Sequence, residues 1–211
     1  MKIKRKDLEI FLQQLEKIIQ PKIKYEQYPT PARVAANLLW FAGIDNDDIN
    51  QKNVIDLGCG TGILAIGAGF LGANSVIGID IDIDVLKIAK LNSLENSLND
   101  ICHWFCSDVR NLKTKRVNTI IMNPPFGMRK ESISRDRDFL LTALTISDVI
   151  YSINPYQEKT RKFFIDFCKE KGAEVNSIIK MDFDISHYYD FHSKAKHIIQ
   201  VDLYKIINKN F

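Results

Sequence analysis

From Asn53 onward the chain repeats one pattern: a short apolar run, a break, then a longer stretch with apolar residues at helical spacing. The runs are Val54–Leu57, Ser75–Ile79, His103–Cys106 and Asn118–Met122, with helical stretches at Ile63–Leu71 and Asp84–Leu94. Runs that are apolar on both faces cannot sit on a half-solvated sheet. They belong to a parallel sheet buried between two helix layers. The pattern therefore predicts an α/β fold with a doubly wound, mostly parallel sheet. Further along, Phe139, Leu140, Ala143, Ile146 and Val149 predict a helix after Asp138, and Phe163, Phe164 and Phe167 predict another over Glu158–Lys171. Two strands, Glu174–Asp182 and Ile198–Ile206, close the chain, the last of them antiparallel.

Upstream of the pattern, Leu8, Phe11, Leu12, Leu15, Ile18 and Ile19 share one helical face, and Pro21 ends that helix. Tyr25–Pro31 is too rich in proline for helix or central strand and reads as a loop. A second helix is expected through Val34, Leu38 and Leu39 to Gly43, with Thr30 as N-cap and Pro31 at the first helical position. No repeat or linker interrupts the chain. The expectation is one domain over residues 1–211, with a helical extension over 1–44 and a Rossmann-like core over 45–211.

Composition narrows the class. At 45% apolar and 26% charged residues, the 211-residue chain has the makeup of a globular domain, which excludes disordered and fibrous classes. No apolar run reaches the roughly 18 residues of a membrane-spanning helix. The basic start, Met1–Lys6, is followed by Asp7, Glu9 and Glu16 instead of an apolar segment, so secretion is unsupported and the cytoplasm is expected. Cys59, Cys102, Cys106 and Cys168 do not make a disulfide framework. A net charge of +3 permits a nucleic-acid partner without requiring one.

The residues with chemical meaning stand at the ends of the predicted strands. Asp56-Leu-Gly-Cys-Gly-Thr-Gly62 follows the first, where glycines let the backbone turn tightly and approach a ligand. Its Gly-x-Gly-x-Gly spacing is not that of dinucleotide binders, and it lacks the Lys-Ser/Thr pair of a phosphate-binding loop. The second strand ends at Asp80, whose carboxylate can accept both hydroxyl hydrogens of a ribose, while Asp82 can cap the helix that follows. At the end of the third, Asp108 can take the exocyclic amine of an adenine and Val109 can pack its ring. Taken singly, each aspartate is as well explained as a cap or turn residue. Together with the glycine loop, they resemble the S-adenosyl-L-methionine site of class I methyltransferases.

The fourth strand ends in Asn123-Pro-Pro-Phe126. Two prolines would break a strand interior, so they mark a rigid loop at its tip. The lone pair of an aryl or amide nitrogen is delocalised, which makes it a poor nucleophile. The Asn123 side-chain oxygen and the Pro124 carbonyl could each accept one N–H and favour a pyramidal nitrogen as positive charge develops. Pro124 and Pro125 would hold that geometry, and Phe126 offers a face for a flat base. The motif resembles that of enzymes methylating adenine N6 or glutamine N5.

Eight segments occur in an order that narrows the resemblance: Gln27–Thr30, Asp56–Gly60, Gly78–Asp82, Met122–Gly127, Asp138–Leu144, Val149–Ser152, and Phe191–Lys194 with Val201–Leu203. They are similar to the small-subunit rRNA adenine-N6 methyltransferases (methyltransferase-like protein five and archaeal relatives) along almost the whole chain. The resemblance implies S-adenosyl-L-methionine as donor, one rRNA adenosine as acceptor, and a small zinc-binding activator subunit as partner. It also implies that Gln27, Tyr28 and Thr30 close over the cofactor, and that Gly58, Gly60, Thr61, Ile63, Asp80, Asp108 and Val109 hold it, with Asp56 at the same loop. Thr61 stands where animal members have a second cysteine, and Ser193 interrupts a basic run.

For RNA, the expected phosphate contacts are Arg129, Lys130, Arg135 and Arg137 after the Asn123 loop, and Lys194 and Lys196 near the end. A solvated charged loop is the plainer account of the same residues. His187, His192 and His197 fit no compact zinc spacing, and Cys102 with Cys106 lacks a second pair, so no metal site is read. The alternatives are a glutamine-N5 protein methyltransferase, a DNA adenine-N6 methyltransferase, and a cofactor-binding ribosome-assembly scaffold without turnover.

Overall fold

The computed structural model describes residues 3–126, 135–186 and 196–209. Seven strands form one sheet: β1 (Asn53–Leu57), β2 (Ser75–Asp80), β3 (Cys102–Cys106), β4 (Val117–Met122), β5 (Ser147–Pro155), β6 (Ala173–Ser186) and β7 (Lys196–Asn208). Their order is β3-β2-β1-β4-β5-β7-β6. The pairings among β1 to β5 are parallel, and β7 runs antiparallel to both β5 and β6. Helices α1 (Arg5–Gln13), α2 (Ala32–Trp40), α3 (Ile63–Phe70), α4 (Ile83–Glu95), α5 (Arg135–Ile146) and α6 (Glu158–Glu170) complete the fold.

Alternation along the strands splits the core in two. Val54 of β1 and Ile121 of β4 join Leu8, Leu12, Val34, Leu38 and Leu64, side chains of α1, α2 and α3. Their neighbours Ile55, Leu57, Ile120 and Met122 turn the other way, onto Phe139 and Leu140 of α5 and Phe164 and Phe167 of α6. Both faces of the central strands are therefore covered, which is why their sequences are apolar throughout. The first two helices share a hydrophobic cluster with the sheet.

Four local expectations are corrected. Helix α1 ends at Gln13, not before Pro21, and Ile19 is 90% exposed. The chain leaves the helix because its backbone is captured from afar: Asn92 Oδ1 accepts the Glu16 N–H (2.8 Å), and Asn92 Nδ2 donates to the Glu16 carbonyl (3.1 Å). Helix α2 begins at Ala32 with Pro31 in the capping position, so Thr30 is not its N-cap. The same helix continues through Gly43 as a π-helical turn, Phe41–Asp45, whose Phe41 carbonyl accepts from Asn46 Nδ2 (2.7 Å). Finally, Val149 lies on β5 and not on the preceding helix. The Ser147 hydroxyl donates to the Ala143 carbonyl (2.9 Å) and the strand starts at once, with no glycine or proline to announce it.

The β6–β7 hairpin is longer than the strand it flanks. Pairing of β5 with β7 stops at Pro155↔Val201, whereas β6 and β7 stay paired to Ser186↔Lys196. The overhang carries Phe183, which is fully buried, beyond the carboxyl end of β5.

Candidate functional site

The sheet order reverses between β1 and β4, the place where open α/β sheets bind ligands. Leu57 pairs with Ile79 on one side and Met122 on the other, so the glycine turn, the β2 aspartates and the Asn123 loop start from one level. A cleft of about 640 Å³ opens above them.

The glycine turn folds back on β2. The Gly58 and Cys59 amides both donate to the Ile79 carbonyl (2.8 and 3.0 Å), and the Gly60 amide donates to Asp80 Oδ2 (2.9 Å). Gly58 has φ +71°, and a Cβ there would lie 2.9 Å from the Phe139 ring. Gly60 has φ +53° but open space around it, so backbone conformation, not crowding, selects glycine. The result is bare backbone along one wall.

Asp80 holds this wall to the next. Its second oxygen accepts the Asp82 amide (2.9 Å), and burial pushes its carboxyl above the ordinary value. A carboxylate oxygen has more than one acceptor position, so both remain able to take a ligand hydroxyl. Asp82 caps α4 by accepting the Asp84 amide (3.2 Å). Burial opposes its ionisation, yet donors from Lys22, Gln27 and Asp84 outweigh burial and hold it below the usual carboxylate range.

Lys22 and Gln27 belong to a strap, residues 14–31, that runs from α1 to α2 along the cleft. Lys22 Nζ reaches Asp82 Oδ1 (2.7 Å) and Asp84 Oδ2 (2.8 Å), and Gln27 Nε2 reaches Asp82 Oδ2 (2.8 Å). Gln27 Oε1 accepts the Lys22 amide (2.7 Å). The side chain of Gln27 is thus occupied with the protein itself. At the far end of the strap, Thr30 Oγ1 accepts from Asn123 Nδ2 (2.8 Å). Among the described residues this leaves Asn123 Oδ1 buried and without a hydrogen-bond partner, beside the cleft that Asn123 lines.

Most residues expected at a cofactor lie together. Gln27, Tyr28, Thr30, Gly58, Gly60, Thr61, Ile63, Asp80, Asp108 and Val109 all line the cleft, with Asn123 and Pro125. Asp56 does not. It is 1% exposed behind the turn, where Oδ2 accepts the Ala65 amide at the start of α3 (3.0 Å) and Oδ1 has no partner. Burial raises its carboxyl to about 8. Pro124 is buried and outside the wall, and Phe126 is half-buried edge-on to Phe183 (5.5 Å between centroids). Asp108 lines the cleft but also serves as a cap, accepting the Arg110 amide (3.0 Å) and a two-pronged contact from the Arg110 guanidinium (3.0 and 2.6 Å).

Arg129, Lys130 and Lys194 lie outside the described residues, as do His187, His192 and the Phe191–Lys194 segment, and so do the side chains of Arg135, Lys196 and His197. Arg137 is exposed, with its guanidinium over the Phe167 ring (5.1 Å). Residues that sequence reasoning missed include Lys22, Arg110, Asp138, Phe139 and Asp184. Phe139 had a signal, as the first large side chain of a helix facing the glycine turn. Asp184 had none, since it meets the cleft only because the hairpin overhangs the sheet.

Chemically, the cleft offers bare backbone, several carboxylates (Asp80, Asp108, Asp138, Asp184) and one amide oxygen without a partner. That donor set suits a cationic ligand with hydroxyl groups.

The family profile described as ribosomal protein L11 methyltransferase (PrmA) matches residues 38–124, which end just inside the Asn123 loop. An uncharacterised protein of Methanocaldococcus jannaschii is 38% identical over 99% of this chain and 96% of its own. The rRNA N(6)-adenosine-methyltransferase METTL5 of Danio rerio is 37% identical over 95% of this chain and 97% of its own. Among solved structures, that of PH1948 from Pyrococcus horikoshii superposes with a TM-score of 0.89 at 38% identity, covering 99% of both chains. The L11 profile spans the glycine turn and β2, whereas the full-length matches cover nearly the whole of this chain. The chain belongs to the METTL5 family of rRNA N6-adenosine-methyltransferases.

Proposed function

We propose that this chain transfers a methyl group from S-adenosyl-L-methionine to N6 of an adenosine in small-subunit rRNA. The observation that carries this reading is the buried, unpartnered Asn123 Oδ1 at the tip of β4, across the cleft floor from the glycine turn. The cleft fits the donor: Gly60 presents backbone to open space, and carboxylates favour a sulfonium. When bound, S-adenosyl-L-methionine supplies an electrophilic methyl group.

The protein does the rest. Gly58, Gly60, Thr61 and Ile63 form the surface against which the cofactor lies. Asp80 accepts the ribose hydroxyls through lone pairs that the Gly60 and Asp82 amides leave available. Val109 packs the adenine ring, and Asp108 takes its amine while sharing its charge with Arg110. Tyr28 covers the cleft from the strap, with Gln27 pinning the strap in place. Asn123 Oδ1 and the Pro124 carbonyl accept the two N–H bonds of the target amine, so its lone pair is drawn out of conjugation. Pro125 keeps the loop rigid, and the exposed part of Phe126 stacks the base. The proton leaves to solvent after transfer, and alignment of the two reactants provides much of the rate.

A target adenine must be unpaired or swung out to reach this loop. Arg129, Lys130, Arg135, Lys194 and Lys196 are the proposed contacts to its flanking phosphates. The proposed seat of the activator subunit is β3, the outermost strand next to β2, where Phe105 is 55% exposed and Leu91 and Leu94 of α4 are exposed. The proposed place of action is the cytoplasm; no described helix is long and apolar enough to cross a membrane.

The test is to incubate the protein, with and without an activator subunit, with labelled donor and separate RNA, DNA and protein pools. Label in N6-methyladenosine of small-subunit rRNA is the expected result. Label in methylated glutamine or in DNA would overturn the substrate assignment, and no label in any pool would favour a scaffold.

A further inference from the structure

We infer that Thr30 is a positioning residue of the acceptor site: its hydroxyl holds the Asn123 side chain with Oδ1 toward the incoming amine. The inference rests on the role proposed for Asn123 and extends it to the strap.

A carboxamide has two ends of nearly equal shape and opposite hydrogen-bonding sense, and a half-turn about its last bond exchanges them. For an amine acceptor the sense decides the outcome. The target nitrogen has N–H bonds to donate and needs its lone pair for the methyl group. An Asn123 NH2 facing it would set donor against donor, or would bind the lone pair itself. Only the oxygen serves, so something must hold the NH2 on the other side. Thr30 Oγ1 does this at 2.8 Å, from 93 residues earlier in the chain. Asn123 Oδ1 is left buried with no partner among the described residues.

The setting of Thr30 supports the assignment. A threonine immediately before a proline would ordinarily cap a helix that starts at that proline. Here Pro31 occupies the N-cap position without any side-chain cap, and the hydroxyl goes to Asn123 instead. Pro29 and Pro31 flank Thr30 and restrict its backbone, so the hydroxyl is delivered from a stiff segment. Lys22 and Gln27 fix the same strap to Asp82, the cap of α4 that follows Asp80. The strap therefore spans both halves of the proposed reaction: one end is anchored next to the ribose carboxylate, and the other sets the amide that receives the acceptor.

The test compares wild-type protein with Thr30→Val, Thr30→Ser, Asn123→Ala and the Thr30→Val/Asn123→Ala pair, using labelled donor and small-subunit rRNA. Thr30→Val keeps the shape and removes the acceptor. It is expected to lower kcat about 50-fold while KM for RNA and donor affinity stay within about threefold. Thr30→Ser should recover most of that loss. On an Asn123→Ala background, Thr30→Val should cost nothing further, because the two act as a unit. A second readout needs no turnover: the side-chain NH2 resonances of Asn123, identified by their absence in Asn123→Ala. One of these protons should exchange slowly in wild type and in Thr30→Ser, and quickly in Thr30→Val.

Full kcat in Thr30→Val with an active wild type would overturn the role of Thr30 alone. So would a loss confined to donor affinity, additive losses in the double variant, or unprotected Asn123 protons in wild type. A wild type that methylates no RNA while its Asn123 protons remain protected would overturn the acceptor-site reading, and the role of Thr30 with it.

Discussion

The polar cluster around Asp48 and the polar wall of the cleft sit in the same sheet, yet their atoms are spent differently. Asp48 Oδ2 accepts from the Tyr151 hydroxyl (2.6 Å) and from Lys205 Nζ (2.9 Å), Lys205 also donates to Asn46 Oδ1 (2.8 Å), and the Asp48 carbonyl accepts from Thr119 Oγ1 (2.5 Å). Burial and the Asp48 charge push the Tyr151 hydroxyl far above its ordinary value, so it stays a donor. These contacts bind the segment before β1 to β4, β5 and β7. In the cleft, by contrast, Asn123 Oδ1 is buried with no partner, and Asp56 just behind the turn has an oxygen in the same state. A folded chain tolerates such atoms where something else compensates; Asn123 Oδ1, at the cleft, marks where a ligand is expected to complete the bonding, whereas Asp56 Oδ1 lies behind the turn and outside the cleft lining. The contrast teaches which mutations should cost stability and which should cost turnover.

The largest effect is expected at Asn123. Asn123→Ala removes one acceptor of the developing positive charge and should lower kcat by about 10²–10³-fold, in line with the loss of one oxyanion-hole donor. The oxygen has no partner among the described residues, and the one bond lost is that from Nδ2 to Thr30, so destabilisation should stay within about 1.5 kcal/mol, and donor affinity by calorimetry should stay within about threefold. An unchanged kcat, or a protein that melts early, would erase the distinction between the two regions.

At the other pole, Asp48→Ala takes the counter-charge from Lys205, which is 11% exposed and keeps its bond to Asn46, and strands the Tyr151 hydroxyl. Breaking a mostly buried pair of this sort should destabilise the fold by about 3 kcal/mol, read from urea unfolding. The methyl-transfer kcat at low temperature should change less than about twofold, because no group of this cluster lines the cleft. If kcat collapsed while stability held, the cluster would belong to the machinery after all.

The sequence disclosed these two regions unequally. Asn123, Asp80 and the glycine turn were legible because each stands at a strand end whose position follows from hydropathy alone, and strand ends on one side of a parallel sheet must meet. Thr30 was legible as a residue but was misread as a cap: local grammar assigns a hydroxyl before a proline to its own helix, and only tertiary placement sends it to Asn123. Nothing local marks Asp48, Lys205 or Lys22, whose partners lie tens to more than a hundred residues away. The β5 strand escaped for a different reason. Helix α5 and β5 abut, so apolar positions at helical spacing run on past Ile146 with no turn residue to stop the count.

A pH experiment sharpens the comparison from the side of Asp56. Burial raises this carboxyl from 3.8 to about 8, so its contribution to stability is fully present below the unfolded value and is lost as pH rises toward 8. Asp56→Asn keeps an acceptor for the Ala65 amide but does not titrate. Between pH 4 and 8 the wild type should therefore lose at least about 1 kcal/mol relative to the variant, measured as a change in unfolding free energy. Parallel profiles would mean that the carboxyl ionises freely where it sits.

The smallest effect is expected at the strap. Lys22 bridges Asp82, which is 4% exposed, and Asp84, which is 58% exposed, and Asp84 is lowered to about 2 by hydrogen bonds from Lys22 and Lys87. Both aspartates are held below the unfolded value and Lys22 above its own, so the bridge contributes from about pH 4 to pH 10 and fades as pH falls toward 2. Lys22 itself is 37% exposed and its outer partner Asp84 58%, so salt reaches the cation and screens the bridge more than it does the pair at Asp48, whose lysine is enclosed. Lys22→Met should therefore leave the melting temperature nearly unchanged, because Gln27 and the Asp84 amide still hold Asp82. What it should change is the strap: donor affinity about threefold weaker at about 0.05 M salt, with the difference gone near 1 M. A weakening that persisted in high salt would show that Lys22 acts through packing of its stem. No weakening at any salt would leave Gln27 and Thr30 as the anchors that matter.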